Sequence, residues 1–518
     1  MKILLTYISG AADRSDIYLN LLPSGVCYLH ACLREAGHDS RLANFSGWSD
    51  AEIRRTLREV KPDVVGISQW THNRHVSVAL ARLVRETLPD CAIIMGGGHA
   101  TFRYRHLLAP DSPVDVVVLG EGEETLCELV HRLSGKGDLG SIPGVAYKKG
   151  GNIVVTDRRS PRADLDHIPM PARFLRESVG VDQELQAEFI LSARGCPSAC
   201  TFCSSPGFWG RMVRYRSPEH MVEELLYIRD QFGLIYFSIR DDTFTVNRER
   251  TIAFCRLLIE RKAYLLWNCQ SNVKSLDEEL LLWMKRAGCE CVQLGVESGS
   301  EAMLAQLGKG ISRARIEQSA SLVRRVGINL SVYLIADIPE EQEQDVQASM
   351  ELLRRIRPDD GYVSPLAYYP GTALFARAVA DGTVAEDVFE VSREVALYAA
   401  RQPGSNSGRI LQVLTASAPR NLERFRQQKA AQGFCYVTNV LAGTAYEQQG
   451  DFTKAAREYQ EIIAREPGNP WGWFLQAELS ALGHDRAKAL ELYRHVLRLV
   501  PGHGPSHAAM RAQKKRSR

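Results

Sequence analysis

The stretch that decides this chain reads Ser192-Ala193-Arg194-Gly195-Cys196-Pro197-Ser198-Ala199-Cys200-Thr201-Phe202-Cys203. Three thiols at spacings of four and three, in one short loop, point to a metal site. An iron–sulfur cube usually takes four cysteine thiolates. No fourth cysteine lies nearby, the next being Cys255. Three ligands leave one iron open, and an open position is where a metal does chemistry rather than hold a fold. The alternative is a three-cysteine zinc site completed by a distant fourth ligand.

The Cys-x-x-x-Cys-x-aromatic-Cys run, with its Arg-Gly-Cys-Pro lead-in and Phe202 before the last cysteine, resembles the cluster loop of radical S-adenosylmethionine (SAM) enzymes. That resemblance implies a [4Fe–4S] cluster on Cys196, Cys200 and Cys203. The open iron would chelate the amino and carboxylate groups of SAM, with Phe202 among the cofactor contacts.

Working outward, 518 residues are too many for one core, and roughly three domains are expected. With 64 basic and 61 acidic residues, the chain carries no nucleic-acid footprint. No apolar run reaches the ~18 residues that a membrane helix needs. Met1 to Tyr7 reads as a first strand rather than a signal peptide. The scattered cysteines fit a reducing cytoplasm better than a secreted disulfide framework. The basic end, Arg511 to Arg518, reads as a frayed, solvated tail.

Residues 1–150 alternate short apolar runs with amphipathic ones. Strands are predicted at Lys2–Tyr7, Asp39–Phe45, Val64–Ser68, Cys91–Met95 and Val114–Leu119. Helices are predicted at Gly25–Glu35, Asp50–Glu59, Val76–Thr87 and Glu123–Leu133. This alternation predicts a doubly wound, flavodoxin-like parallel sheet, with ligands at the carboxyl ends of its strands. Glycine-rich loops fall at those ends: Gly96-Gly97-Gly98-His99 and Gly120-Glu121-Gly122-Glu123. Glycine lets a ligand approach the backbone, or simply makes a tight turn. Neither run is a dinucleotide fingerprint after the first strand.

This pattern resembles the cobalamin-binding domain that precedes many radical SAM domains. The matching pieces are Pro23-Ser24-Gly25, Val65-Gly66-Ile67-Ser68, Met95–Thr101 and Gly120–Glu123. Ser9–Arg14 carries no Asp-x-His-x-x-Gly, so the resemblance is to the subgroup without a histidine ligand to cobalt. It implies cobalamin contacts at Ser68, Gln69, Gly96, Gly97, Gly98, Gly120 and Gly122, with Trp70 and Thr71 near the corrin. His72 reads as a surface or structural residue. Methylthiotransferases share the layout but hold a second cluster on three N-terminal cysteines. Cys27, Cys32, Cys91 and Cys127 show no such arrangement, and the first two read as buried small hydrophobes on one helix.

Residues 151–184 are polar and proline-bearing and read as a linker. From 185 to 377 strand–helix alternation resumes, and six βα units predict a partial (β/α)6 barrel with the cysteine loop after its first strand. Three further segments resemble radical SAM motifs: Asp241-Asp242-Thr243-Phe244, Gly295-Val296-Glu297-Ser298-Gly299 and Tyr369-Pro370-Gly371-Thr372. They imply that Asp242 lies near the SAM amino group and that Glu297, beside Ser298, takes the ribose hydroxyls. The bland alternatives are a turn cap and a structural ion pair. Two departures stand out. Asp337-Ile338-Pro339-Glu340-Glu341 replaces the family's Gly-x-Pro-Gly-Glu, and Gln270-Ser271-Asn272 stands where arginine is usual.

Residues 378–435 read as helical, broken at Pro403–Gly408. Within 436–518, Ala455 and Ala489, Tyr459 and Tyr493, and Pro467 and Pro501 each recur 34 positions apart. That period resembles tetratricopeptide repeats and predicts an all-α region that binds a protein partner, mediates self-association or caps the barrel. The resemblances together imply a cobalamin-dependent radical SAM enzyme, most simply a methyltransferase. In such enzymes a 5′-deoxyadenosyl radical made from SAM takes hydrogen from an unactivated carbon, and methylcobalamin supplies the methyl group. A cyclisation or rearrangement with the same cofactors, or a non-catalytic cobalamin sensor, are the alternatives. An electron donor is required, and the substrate could be a small molecule, lipid or peptide.

Overall fold

The computed structural model describes residues 1–10, 17–135, 137–391, 397–399, 404–417 and 422–515. Part of the Ser9–Arg14 stretch, as well as Pro403, lies outside them. Two compact units result: Met1–Ala187 with Ala193–Tyr215 and Ala367–Ala399, and Glu188–Ser192 with Arg216–Leu366 and Ala400–Arg518.

The first unit opens with β1 (Lys2–Tyr7), α1 (Ser24–Glu35), β2 (Asp39–Asn44), α2 (Asp50–Val60), β3 (Val64–Ser68), α3 (Arg74–Thr87), β4 (Ala92–Gly96), α4 (Gly98–Leu107), β5 (Val116–Val118) and α5 (Glu123–Gly135). The central strands β3, β4 and β5 are mostly Val and Ile, as expected where helices cover both faces. Their parallel order is β5-β4-β3-β1-β2, so the chain reverses direction across the sheet between β1 and β3. This is the predicted flavodoxin-like winding, with its ligand crevice at the switch point.

Two extensions of the sheet escaped the sequence reading. β6 (Val145–Lys149) and β7 (Asn152–Val155) form an antiparallel hairpin beside β5. Gly150 and Gly151, at φ of 58° and 80°, make the mirror-image turn that suits a two-residue hairpin. β8 (Ser178–Val179) pairs with β2. Both β7 and β8 fall in the stretch read as linker. The short helix α6 (Gln183–Glu188) and strand β9 (Phe189–Ile190) follow. Then come β10 (Ala193–Arg194), α7 (Ser205–Trp209) and β11 (Arg214–Tyr215), with β10 and β11 paired antiparallel.

The second unit continues through α8 (Pro218–Phe232), β12 (Tyr236–Ile239), α9 (Arg248–Glu260), β13 (Leu266–Ser271), α10 (Glu278–Arg286), β14 (Cys289–Glu297), α11 (Glu301–Gln306), α12 (Arg313–Val326), β15 (Asn329–Ala336), α13 (Glu343–Ile356) and β16 (Asp360–Pro365). Its six strands are all parallel and lie in sequence order from β9 to β16, an open, partial barrel as predicted. Side chains capping the barrel helices include Ser217, Asn247, Asp277 and Ser312.

Helix α14 (Ala373–Ala380) belongs to the first unit. In the second, α15 (Ser405–Ser417) begins inside the predicted break, for a reason given in the Discussion, and α16 (Glu423–Gln432) follows. Helices α17 (Tyr436–Gln448), α18 (Phe452–Arg465), α19 (Pro470–Leu482), α20 (Arg486–Leu499) and α21 (Gly504–Lys515) make the repeat region. The repeat reaches the caps, since Asp451 accepts from Lys454 N and Asp485 from Lys488 N. A Cβ on Gly443 would lie 2.2 Å from the ring of Tyr459, which explains the small residue there. Of the predicted frayed tail, Arg511 to Lys515 continue α21 and the rest lies outside the described residues.

Candidate cofactor site

In the first unit, three loops meet at the carboxyl ends of β3, β4 and β5. Ser68, half-buried, ends β3. Gln69, fully buried, donates from Nε2 to Arg74 O at 3.1 Å and Ser77 Oγ at 2.9 Å, while its Oε1 has no hydrogen-bond partner. Gly96 ends β4, and Gly97 turns the chain at φ 105° so that α4 can start at Gly98. A Cβ on Gly97 would come within 2.6 Å of Gln69 O, so only glycine fits. A Cβ on Gly98 would meet the Trp70 ring at 3.3 Å. Gly120, at φ 76°, donates to Thr101 Oγ1 at 3.0 Å, tying the β5 loop to α4; Gly122 packs on Leu29.

Two histidines frame these loops. His72 Nε2 is 2.7 Å from Tyr7 Oη, a side-chain pairing that fits its structural reading. His99, buried, shares a hydrogen bond of 3.1 Å with Thr71 Oγ1 and meets the Phe389 ring edge-on. Burial, then the nearby charges of Arg74 and Arg103, push its pKa down to about 3, so it is neutral at physiological pH. Its role was not visible in the sequence, where it looked like part of a glycine loop.

The cysteine loop also belongs to this unit. Cys196, Cys200 and Cys203 are half-buried thiols outside any disulfide. A turn closes from Cys203 N to Cys200 O at 3.3 Å, and Cys203 Sγ accepts from Ser205 N at 3.4 Å. Phe202 is half-buried within that turn. Among the described residues, no three His, Cys, Asp or Glu side chains gather around a single ion position. Thiolates of a cube each bind a different iron, so they need not converge on one point. Beside this loop, a cavity of about 370 Å³ is lined by Thr101, Gly120, Glu123, Arg159, Pro206 and Trp209 among others. Gly371, at φ 78°, packs on Phe102, and Thr372 caps α14.

In the second unit, the implied SAM residues sit at strand ends. Asp241 is buried and accepts from Ser192 N at 2.6 Å and from Ser192 Oγ, capping the end of the β9 segment. Asp242 is exposed. Glu297 ends β14 with φ 65°, and its Oε1 accepts from Lys309 Nζ at 2.7 Å. Ser298 is fully buried and accepts from Ser300 N at 3.1 Å. The Asp337–Glu341 turn keeps left-handed backbone at both positions where the family has glycine, Asp337 at φ 56° and Glu340 at φ 67°.

Comparison with known proteins agrees with this geometry. Residues 13–130 match the family model of the B12 binding domain, 190–353 that of the radical SAM superfamily, and 438–479 that of the tetratricopeptide repeat. The hopanoid C-3 methylase of Methylococcus capsulatus is 30% identical over 372 residues, covering 69% of either chain. An uncharacterized methyltransferase of Pyrococcus horikoshii is 29% identical over 69% of this chain and 79% of its own. An anaerobic magnesium-protoporphyrin IX monomethyl ester cyclase of Rubrivivax gelatinosus is 27% identical over 72% of this chain and 69% of its own. The radical SAM methyltransferase TsrM of Kitasatospora setae shares the fold at a TM-score of 0.63 and 16% identity, covering 89% of this chain and all of that one.

The chain therefore belongs to the radical SAM family whose members carry an N-terminal cobalamin-binding domain. It is a radical SAM enzyme whose cofactors are a [4Fe–4S] cluster, SAM and cobalamin, and methyl transfer is its better-supported reaction.

Proposed function

We propose that the chain methylates an unactivated carbon, with Cys196, Cys200 and Cys203 holding the cluster. The observation that carries this reading is the pairing, in one chain, of a three-thiol loop and a doubly wound sheet whose loops after β4 and β5 turn at glycine. When bound, the cofactors supply the radical and the methyl group. The protein binds, orients and excludes water. Phe202 flanks the last thiol. Asp242, exposed in the loop after β12, receives the SAM amino group. Glu297 orients the ribose, its charge balanced by Lys309, with Ser298 bracing the turn. Gly96 and Gly120 leave the backbone open to the corrin, while Gly97, Gly98 and Gly122 let Gln69, Trp70 and Leu29 pack close and so, with Ser68 and Gln69, shape the loops around it.

The magnesium-protoporphyrin cyclase relative favours a second reading, radical chemistry without methyl transfer. The substrate is a small molecule, lipid or peptide, and the electron donor is a separate reductant. The repeats serve a protein partner or self-association. No helix among the described residues is long and apolar enough to cross a membrane.

The test is anaerobic turnover of reconstituted protein with cobalamin, reductant, SAM and candidate substrates, counting 5′-deoxyadenosine and S-adenosylhomocysteine together. Both products are expected. Deoxyadenosine alone would replace methylation by a cyclisation or rearrangement.

A further inference from the structure

Two arginines stand at the mouth of the cysteine loop. Arg194 ends β10 and Arg214 begins β11, and they face each other across the ribbon. Both reach one carboxylate. Arg214 grips Glu121 with two teeth, Nη1 to Oε2 at 3.0 Å and Nη2 to Oε1. Arg194 Nη1 donates to the same Oε2 at 2.9 Å, and its Nη2 to Glu123 Oε1. Arg194 also lies over the rings of Tyr28 and Trp209, at 5.4 and 5.1 Å.

These are not surface ion pairs. The arginine side chains are 5% and 3% exposed, and those of Glu121 and Glu123 are 13% and 11%. Burial would raise the Glu123 carboxyl, but Arg194 outweighs it and holds the group below its ordinary range. The four charges cancel, so removing one leaves a buried partner uncompensated. Glu121 sits between Gly120 and Gly122, in the loop after β5. One carboxylate thus joins that glycine loop to both strands that bracket Cys196, Cys200 and Cys203.

We propose that Glu121 is a positioning residue that couples the two cofactor loops, an inference resting on the cofactor assignment above. Through Arg194 and Arg214 it sets the mouth of the cysteine loop from the glycine loop. Any coupling of this kind is reciprocal, so filling one loop favours filling the other.

The experiment uses the full chain, reconstituted with iron and sulfide, with and without hydroxocobalamin. Iron retained per chain after desalting is measured, along with the electron paramagnetic resonance spectrum of the reduced cluster before and after SAM. In the unmutated protein, hydroxocobalamin should raise iron retention, and SAM should shift the spectrum. Glu121→Gln should still bind hydroxocobalamin, but the cobalamin-linked gain should fall by roughly fivefold or more. Its SAM-induced spectral shift should be lost too. Glu121→Asp, which keeps the charge, should recover most of both. Should Glu121→Gln fail to fold, Arg214→Lys, which keeps charge but loses the two-toothed grip, is judged by the same criteria. The proposal is overturned if Glu121→Gln matches the unmutated protein in both readouts, or if hydroxocobalamin never affects iron retention. No cluster in the unmutated protein would instead defeat the cofactor assignment.

Discussion

Asp337 Oδ2 accepts a hydrogen bond from Ser407 Oγ at 2.9 Å, and from that pair the start of α15 is built. The same carboxylate also takes Gly404 N at 2.9 Å, Asn406 N at 3.0 Å, Ser407 N at 3.4 Å and Ser405 Oγ at 3.3 Å. A helix N-terminus presents unpaired N–H groups and a positive dipole end, and a buried carboxylate satisfies both. This explains why the helix begins inside a run of Gly, Ser and Asn that reads as a break. It also explains what an acid does where relatives have glycine.

Asp337→Ala should therefore destabilise the second unit by about 2–3 kcal/mol, through a lost cap and several lost buried hydrogen bonds. Asp337→Gly should lose about 1 kcal/mol less, because glycine relaxes the left-handed backbone. Amide hydrogen exchange over residues 405–410, with thermal unfolding, reads both. Unchanged protection of α15 in Asp337→Ala would refute the cap.

Cys200→Ala should abolish SAM cleavage and leave cobalamin bound, if less tightly, since the proposed cobalamin contacts lie on other loops than the proposed cluster ligands. Deoxyadenosine formation after reconstitution, beside the visible spectrum of bound cobalamin, separates the outcomes. Cleavage that survives the substitution would end the cluster assignment.

Gly97→Ala forces a Cβ to within 2.6 Å of Gln69 O at a φ of 105°. Neither backbone can yield cheaply, so a loss of about 2 kcal/mol or more is expected, with cobalamin binding impaired. Gly98→Ala meets only the Trp70 ring at 3.3 Å, and that side chain can shift. Equal cobalamin retention by the two variants on gel filtration would contradict this account of the loop.

His99 should make the first unit acid-sensitive. Its folded pKa of about 3 lies below the ordinary 6.5, so the unfolded chain binds the proton first. The stability it contributes is whole above pH 6.5 and is lost as pH falls toward 3, at about 1 kcal/mol per pH unit. His30, its pKa depressed to about 4 mainly by burial, adds to the same slope. In His99→Gln the melting temperature should depend less steeply on pH between 6.5 and 4. A slope as steep as that of the unmutated protein would mean the imidazole already titrates in the folded state.

Local chemistry decided much of this protein. Apolar runs such as Val64–Ser68 and Val116–Val118 have little choice but to be buried strands, and amphipathic runs between them must be helices. The alternation then yields a doubly wound sheet and an open barrel. The thiol spacing of Cys196, Cys200 and Cys203, and the 34-residue recurrence of Ala455 and Ala489, are equally local and were legible directly.

The tertiary structure decided what depends on partners distant in sequence. Glu121 looked like a loop acid until Arg194 and Arg214, 73 and 93 residues away, closed on it. Asp337 looked like a broken motif until Ser407, 70 residues on, supplied donors. His99 looked like part of a glycine loop until burial made it neutral, and β7 and β8 looked like linker until they found sheet edges. A charge or an unpaired N–H acquires its meaning from the group that satisfies it, and that group is chosen by the fold rather than by the neighbouring residues.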